Sequence, residues 1–206
     1  MKQSTTTQKR NFMNHGNKLN CALVRAVVLL SMFAVFAGQA SAAIFTVDVP
    51  GTAPWYDTGI DVFAGYELSI SAAGIVTYDV WHGMSADANG GDVSGQNFFS
   101  DSVLPDAITH SLIGKIGGTT DVGDGTPVPE GVVGDGAGFV GTSYDQQVST
   151  SGRLFLGYND EVGGFSDNAG SFSVTVTVVP EPSTIGLVGL GVLLLLSKRL
   201  ADRNNV

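Results

Sequence analysis

The stretch LFLGYNDEVGGFSDNAGSFSVTVTV, residues 154–178, contains two runs in which residue types alternate. From Phe172 to Val178 every second residue is apolar and the residues between are serine or threonine. In the first run, Leu154, Leu156 and Tyr158 alternate with Phe155 and Gly157. Because neighbouring side chains of a strand point to opposite faces, one row should enter a core and the other face water. The stretch therefore predicts a strand, a tight loop and a second strand.

The loop between these strands is rich in glycine and in side chains that carry oxygen. Its polar residues are Asn159, Asp160, Glu161, Asp167 and Asn168. Glycine allows a loop to bend tightly, and carboxylate and amide oxygens are ligands of hard cations such as calcium. The composition of the loop therefore predicts a calcium site.

The rest of the central segment also has the pattern of strands, and no part of it shows a convincing amphipathic helical repeat. Further strands are predicted around residues 45–49, 60–63, 66–71, 75–78 and 111–116, with another beginning at residues 139–140. Turn residues separate these runs about every 8–12 positions, which is typical of all-β sandwiches. We therefore predict an all-β fold, an antiparallel jelly-roll β-sandwich.

Two long segments are predicted to be loops, residues 81–105 and residues 119–138. Asp87, Asn89 and Gly90 resemble the start of an EF-hand loop, but Phe98 stands where that loop needs a glutamate. A flexible, solvated loop is therefore the preferred interpretation of the first segment.

The N-terminal residues have the features of a secretory signal peptide. A basic region precedes the apolar run from Ala26 to Ala37, and the small residues Ala40 and Ala42 follow in the A-x-A pattern. We predict a signal peptide over residues 1–42 with cleavage after Ala42; the alternative is an uncleaved membrane anchor. Because the single cysteine, Cys21, lies in this segment, the mature protein should contain no disulfide.

The central segment is strongly acidic. Residues 43–182 contain 18 of the 19 acidic residues and two basic residues, Lys115 and Arg153, which gives a net charge of −16. Such a charge repels nucleic acid and anionic lipid headgroups, so nucleic-acid binding is excluded as a function.

The C-terminus combines Pro180-Glu181-Pro182, an apolar run over residues 185–196 and a basic end with Lys198, Arg199 and Arg203. These three parts, in this order, resemble a PEP-CTERM protein-sorting signal. The resemblance implies processing near residues 180–182 by an exosortase and transient insertion in the inner membrane of a helix spanning about residues 183–197. A plain single-pass anchor is the alternative. The predicted regions are therefore 1–42, 43–178 and 179–206.

Three motifs of the central segment resemble the PA-I galactophilic lectin family, whose jelly-roll domain binds galactose through calcium. They are Ala72-Ala73-Gly74 with Tyr78, the run from Leu112 to Gly117, and the run from Tyr158 to Val174. The resemblance implies calcium ligation by the side chains of Asp160, Asp167 and Asn168 and by the backbone carbonyls of Tyr78 and Gly164. It also implies that Asp160, Asp167, Asn168 and Tyr78 form the carbohydrate site. Glu161 is not among these positions and is interpreted as surface charge.

The sugar-contact part of that family does not match. Its His-Pro-x-Gln segment falls near residues 97–100, which read Asn-Phe-Phe-Ser here. The aromatic residues Phe98, Phe99, Trp81 and His82 form either a platform for a sugar or only a cover for the sandwich edge.

The favoured function is therefore a calcium-dependent, lectin-like protein of the cell envelope, outer surface or extracellular matrix, with an extracellular glycan or exopolysaccharide as its partner. The alternative is a structural surface protein in which calcium only stabilises a loop. We do not expect an enzyme, because His82 and His110 are the only histidines outside the leader and neither lies in a nucleophile motif such as G-x-S-x-G.

Overall fold

Antiparallel strands make up most of the described protein. The computed structural model describes residues 41–91 and 98–181 and six positions between 191 and 199. Nine strands and one short 3-10 helix (Phe165–Asp167) lie within the first two of these ranges. The strands are β1 (Ala43–Pro50), β2 (Tyr56–Val62), β3 (Glu67–Asp79), β4 (Met84–Ala86), β5 (Leu112–Ile116), β6 (Thr126–Pro127), β7 (Ser143–Gln147), β8 (Gly152–Tyr158) and β9 (Ala169–Val179).

The strands form two sheets that enclose a common core. One sheet has the order β1-β9-β3-β4, with β7 also paired to β3, and the other has the order β2-β8-β5-β6. Every pair is antiparallel. Apolar side chains from both sheets, such as Leu68 and Phe172 from one and Leu112 and Leu154 from the other, belong to one buried cluster. The predicted all-β antiparallel sandwich is confirmed.

β9 is the central strand of its sheet and follows the predicted alternation. Phe172, Val174, Val176 and Val178 are all buried, while the serines and threonines between them are exposed or half-buried. Burial of each such apolar side chain contributes roughly 1.5–3 kcal/mol. β9 is hydrogen-bonded to β1 on one side and to β3 on the other, which fixes its position over its full length.

β8 differs from the prediction, because both of its faces are buried. Leu154, Leu156 and Tyr158 enter the main core, as expected. Phe155, however, belongs to a second apolar cluster with Trp55, Val103 and other residues. The reason is that residues 103–108 supply apolar side chains to this cluster, so the outer face of β8 does not meet water.

The described parts of the first predicted long loop, residues 81–91 and 98–105, contain more structure than expected. They include β4 and the buried residues Ala88, Ser102 and Val103. Asp87 and Asn89 have structural roles, since Asp87 Oδ1 accepts a hydrogen bond from the Asn89 backbone and Asn89 Oδ1 accepts one from the Thr142 backbone at 3.0 Å. Asp87 and Asn89, whose spacing resembles the start of an EF-hand loop, therefore accept backbone hydrogen bonds that stabilise the fold.

The second predicted loop is held by a buried lysine. Lys115 on β5 is 1% exposed, and its Nζ donates to the carbonyl oxygens of Asp121 at 2.8 Å and Asp124 at 3.1 Å. The same ammonium forms an ion pair with the Asp124 carboxylate and lies 4.7 Å from the Trp55 ring centroid. The strand predicted to begin at residues 139–140 begins later, at Ser143.

The chain divides into two units, one comprising Ser41–Glu181 and the other Met1–Ala40 with Pro182–Val206. The predicted signal peptide lies outside the described residues, apart from its last two positions. In the second unit the described positions 191, 192, 195, 196, 198 and 199 are helical. Within the part of the chain that the structure describes, no helix has the length and apolar character needed to cross a membrane.

Candidate functional site

The loop that joins β8 to β9 is anchored by Asn159, which is fully buried. Asn159 Nδ2 donates to the carbonyl oxygens of Leu104, Ala107 and Ile108, each at 3.0 Å, and Asn159 Oδ1 accepts from the Leu104 backbone at 2.8 Å. The side-chain amide of Asn159 therefore uses both of its polar atoms to attach residues 104–108 to the loop. Its role is structural rather than ligand binding.

Asp160 and Asn168, near the two ends of this loop, contact each other, and each is only 8% exposed. Asn168 Nδ2 donates to Asp160 Oδ2 and to the carbonyl oxygen of Gly51, both at 2.8 Å. Asp160 Oδ1 accepts a hydrogen bond from the Glu161 backbone at 2.7 Å. Asn168 Oδ1 is buried and has no hydrogen-bond partner among the residues that the structure describes. Since two acceptors fix the amide orientation, this oxygen is an available ligand.

The other predicted ligands lie close to this pair to different degrees. A Cβ atom at Gly164 would lie 3.7 Å from Asp160 Oδ1, so the Gly164 backbone is next to the carboxylate. Tyr78 follows directly after Thr77, which pairs with Ala169, and this register places Tyr78 beside Asn168. Asp167 is positioned by its backbone, whose carbonyl accepts a hydrogen bond from Val80 at 3.4 Å. No hydrogen bond between described residues links the Asp167 side chain to Asp160.

His110 belongs to this region, although the sequence did not predict it. Its ring stacks on Tyr78 with a centroid distance of 3.8 Å and an interplanar angle of 9°. Its Nδ1 lies 3.9 Å from Asp160 Oδ1. His110 immediately precedes the apolar run of β5 and is far in sequence from both neighbours, so no spacing rule could have found it.

A cavity of about 180 Å³ opens beside Asp160. It is lined by Phe99, Asp101, Ser102, Thr109, His110, Asp160 and Glu161. Glu161, interpreted from the sequence as surface charge, is exposed but also borders this space. Three carboxylates and two hydroxyls therefore face one small volume, which makes the cavity polar and acidic.

The predicted aromatic platform is only partly assembled. Phe99 lines the cavity. Trp81 is 85% exposed. His82 is exposed and pairs with Asp79, and its hydrogen bond holds the pKa of the Asp79 carboxyl below its usual value. No ring stacking joins these aromatic residues within the part of the chain that the structure describes.

The donors around Asp160 suit a hard cation. Among the described residues no three histidine, cysteine, aspartate or glutamate side chains converge on one point. A metal here would instead depend on two carboxylates, an amide oxygen and backbone carbonyls, which is an all-oxygen set of the kind that calcium prefers. The nearby Tyr158 hydroxyl stays protonated, because burial, followed by the negative charge of Asp160, raises its pKa.

The sorting motif begins directly after β9. Pro180 follows the last residue of the strand, and Glu181 accepts a hydrogen bond from Gln147 Nε2 on β7. Gln147 Nε2 also donates to the carbonyl oxygen of Gly65 at 3.2 Å. Pro182 lies outside the described residues.

Comparisons with known proteins identify the C-terminal region. A family model described as a PEP-CTERM protein-sorting motif matches residues 178–199, which confirms the predicted sorting signal. Such a motif implies export, a cell-surface location and processing by an exosortase. No curated protein matches the chain. Among solved structures, the N-terminal domain of EclA, a PllA-like lectin, is similar at 21% identity and a TM-score of 0.41, covering 65% of this chain and 95% of that domain.

Proposed function

We propose that this protein is an exported, calcium-dependent carbohydrate-binding protein of the cell surface or exopolysaccharide matrix. The observation that carries the proposal is the buried Asp160–Asn168 pair: Asn168 Oδ1 has no hydrogen-bond partner among the described residues, and Asp160 lines a polar cavity. Buried polar groups normally have partners, so an unpaired oxygen beside a carboxylate supports a ligand at this position. In this proposal the protein binds glycans and catalyses no reaction.

Calcium would be held by side-chain oxygens of Asp160, Asp167 and Asn168 and by the carbonyl oxygens of Tyr78 and Gly164. When bound, it would supply coordination positions for sugar hydroxyls. Asp160 and Asn168 would also orient the ligand, because each is fixed by hydrogen bonds to the loop or to Gly51.

Asp160→Ala tests the metal site. Calcium that binds only the folded protein raises its melting temperature by mass action. We expect calcium to raise the melting temperature of the wild type by several degrees and to have little effect on Asp160→Ala. The exposed Asp106 offers a matched control, because Asp106→Ala should retain the wild-type response. A wild-type melting temperature that is indifferent to calcium contradicts the proposed metal site.

A glycan array tests the carbohydrate site. We expect glycans that bind in the presence of calcium and are released by chelator. An array without binding at high protein concentration, in calcium, contradicts the proposed function even if calcium stabilises the fold.

A second candidate function has its own supporting observation. Asp160 and Asn168 hold the loop together by hydrogen bonds to Glu161, Gly51 and each other. Calcium could therefore serve only to stabilise the loop of a structural surface protein. The combination of calcium-dependent stability with an empty glycan array would favour this candidate.

A further inference from the structure

The glutamate of the sorting motif is bound by the folded domain. Glu181 Oε1 accepts a hydrogen bond from Gln147 Nε2 on β7, and the same Nε2 donates to the carbonyl oxygen of Gly65 at 3.2 Å. Because an amide nitrogen donates and an amide oxygen accepts, these two acceptors fix the orientation of the Gln147 side chain. Glu181 belongs to the same compact unit as both partners, Ser41–Glu181. The contact is therefore made within the domain.

The position of this contact follows from the pairing of three strands. Glu67 on β3 pairs with Gln147 on β7 and with Val179 on β9. If the register between β3 and β9 continues by two residues, Glu181 lies opposite Gly65. The Gln147 side chain, which starts from the strand on the other side of β3, therefore crosses the chain at residue 65 to reach the carboxylate.

Gly65 leaves the space that this crossing needs. A Cβ atom at Gly65 would lie 3.2 Å from Glu181 Cδ and 3.4 Å from each carboxylate oxygen, so the carboxylate lies directly against the glycine backbone. The φ of Gly65 is 92°, which glycine adopts without a steric penalty. The Gly65 N–H donates to the Val148 carbonyl at 2.7 Å, which attaches this turn to the end of β7. Gly65 and Gln147 are therefore held next to each other by the fold.

The Glu181 carboxylate is the most distinctive group that the sorting motif offers to a partner. It is the only charged side chain within residues 168–197. Pro180 and Pro182 have neither a backbone N–H nor a polar side chain. An enzyme that binds the motif through this carboxylate has to displace it from Gln147, because a carboxylate packed against the domain cannot be enclosed by a second protein.

We propose that Gly65 and Gln147 form a carboxylate-binding site for Glu181, and that the exosortase processes the chain only after Glu181 has left this site. The domain thereby limits access to its own sorting motif. The inference rests on the sorting motif and does not depend on glycan binding. Processing should slow in proportion to the fraction of chains in which the site is occupied. For one exposed hydrogen bond to a carboxylate, we expect an effect of about threefold to tenfold.

Nuclear magnetic resonance of the full chain in detergent micelles tests the contact itself. The side-chain amide resonances of Gln147 are compared between wild type and Glu181→Ala. We expect the loss of the carboxylate acceptor to shift a Gln147 amide proton resonance upfield. Gln146 is the control, because its amide donates to the Gly131 carbonyl at 3.4 Å and should keep its resonances. Unchanged Gln147 resonances would overturn the proposed site.

Pulse-chase labelling in the native host tests the effect on processing. The measured quantity is the rate at which the full chain is converted to the shortened form. Gln147→Leu removes the donor, so we expect processing to be about threefold to tenfold faster than in wild type. Gln147→Arg should slow processing, because a guanidinium that crosses Gly65 can form a charge-assisted hydrogen bond with the carboxylate. Gln146→Leu, the same substitution at the neighbouring position, should be processed at the wild-type rate.

The outcomes separate the site from its effect. Equal rates for Gln147→Leu and wild type, with the resonance shift present, would show that the contact does not limit processing. Slower processing of Gln147→Leu would mean that the domain presents the motif to the enzyme, which is the opposite of the proposal. A wild-type chain that keeps its tail throughout the chase would overturn the inference. None of these results changes the reading of the glycan array, so the proposed function is judged separately.

Gln147→Asn keeps the test valid if the leucine variant does not fold. Asparagine keeps the polar amide on β7, but its side chain is one methylene shorter and should not reach across Gly65 to Glu181. We expect the same faster processing as for Gln147→Leu, and a wild-type rate in a folded Gln147→Asn protein would contradict the proposal.

Discussion

The Asn168 side chain both stabilises the candidate site by hydrogen bonds and offers an oxygen to a ligand. Its Nδ2 joins the Asp160 carboxylate to the Gly51 carbonyl, and its Oδ1 stays available. In Asn168→Asp both donated hydrogen bonds are lost and a second carboxylate is placed against Asp160. We expect the free energy of unfolding without calcium to fall by about 2–3 kcal/mol, measured by urea denaturation.

Asn89→Asp is a matched control for that prediction. Asn89 uses its Oδ1 as an acceptor from Thr142, a role that a carboxylate can also fill. Its free energy of unfolding should change by less than about 0.5 kcal/mol. Equal losses in the two variants would contradict the structural role assigned to Asn168.

Lys115→Met should show how much the buried ammonium contributes to the free energy of unfolding. The variant removes the donor for the carbonyls of Asp121 and Asp124, and we expect a loss of about 1–3 kcal/mol in urea denaturation. Arg153→Met, which breaks exposed ion pairs, should lower the free energy of unfolding less than Lys115→Met does. Similar costs for both would contradict the interpretation.

The ion pair between Lys115 and Asp124 predicts how the stability of the protein depends on pH. The hydrogen bond from Lys115, followed by that from Thr119, lowers the pKa of Asp124 in the folded protein. A lowered folded pKa adds stability that is present above the unfolded pKa of about 3.9 and is lost as the pH falls through the folded value. Wild type should therefore lose more stability than Lys115→Met between pH 5 and pH 2, as followed by thermal unfolding at each pH. Parallel curves would contradict this.

At the residue scale, the sequence predicts those ligands whose chemistry is local. Asp160 and Asn168 lie eight residues apart on one glycine-rich loop, and both reach the site. His110 reaches it only because the segment that precedes it, residues 103–108, packs over β8. Asn159 was indistinguishable from its ligand-like neighbours until its three backbone acceptors in residues 104–108 were seen.

Among the elements, β8 is buried on both faces from Leu154 to Tyr158. A Cβ atom at Gly157 would overlap with the carbonyl oxygen of Pro54, so only glycine fits at this point of the strand. We expect Gly157→Ala to lower the free energy of unfolding by about 3 kcal/mol, measured by urea denaturation.

Gly131→Ala is the control for the confinement of β8. A Cβ atom there would make an ordinary contact of 3.4 Å with Tyr144, and its φ lies in the region that alanine adopts. It should be neutral or slightly stabilising. A tolerated alanine at Gly157 would show that the Pro54 backbone moves more easily than the packing suggests.

The strands also show where the alternation of apolar and polar residues predicts the structure and where it does not. β9 has one face in the core and one towards water, so its sequence pattern was sufficient. The outer face of β8 is covered by residues 103–108, whose few apolar side chains lie within a polar stretch and give no periodic signal. β7, with the sequence SYDQQ, forms a strand because β3 offers it a pairing edge, not because of its own pattern.

At the scale of the whole molecule, the sorting motif implies that the C-terminal tail is removed by processing. We expect the exported protein to end near Pro180-Glu181-Pro182, whereas a variant with both prolines changed to alanine should retain the tail through Val206. Intact mass spectrometry of the protein from its native host distinguishes the two. Pro105→Ala, a change of an exposed proline within the domain, should be processed normally. Equal shortening of all three proteins would show that processing does not depend on the motif.

The position of β9 also has a mechanical consequence. At about 3.4 Å per residue its eleven residues span roughly 37 Å, from the site loop at one end to the sorting motif at the other. Tension between a captured glycan and an anchored C-terminus would therefore run along the axis of this strand. β1 and β3 flank it, so the load would shear two rows of hydrogen bonds together instead of opening them one at a time. A domain pulled in this direction should resist far more force than one that is peeled from an edge.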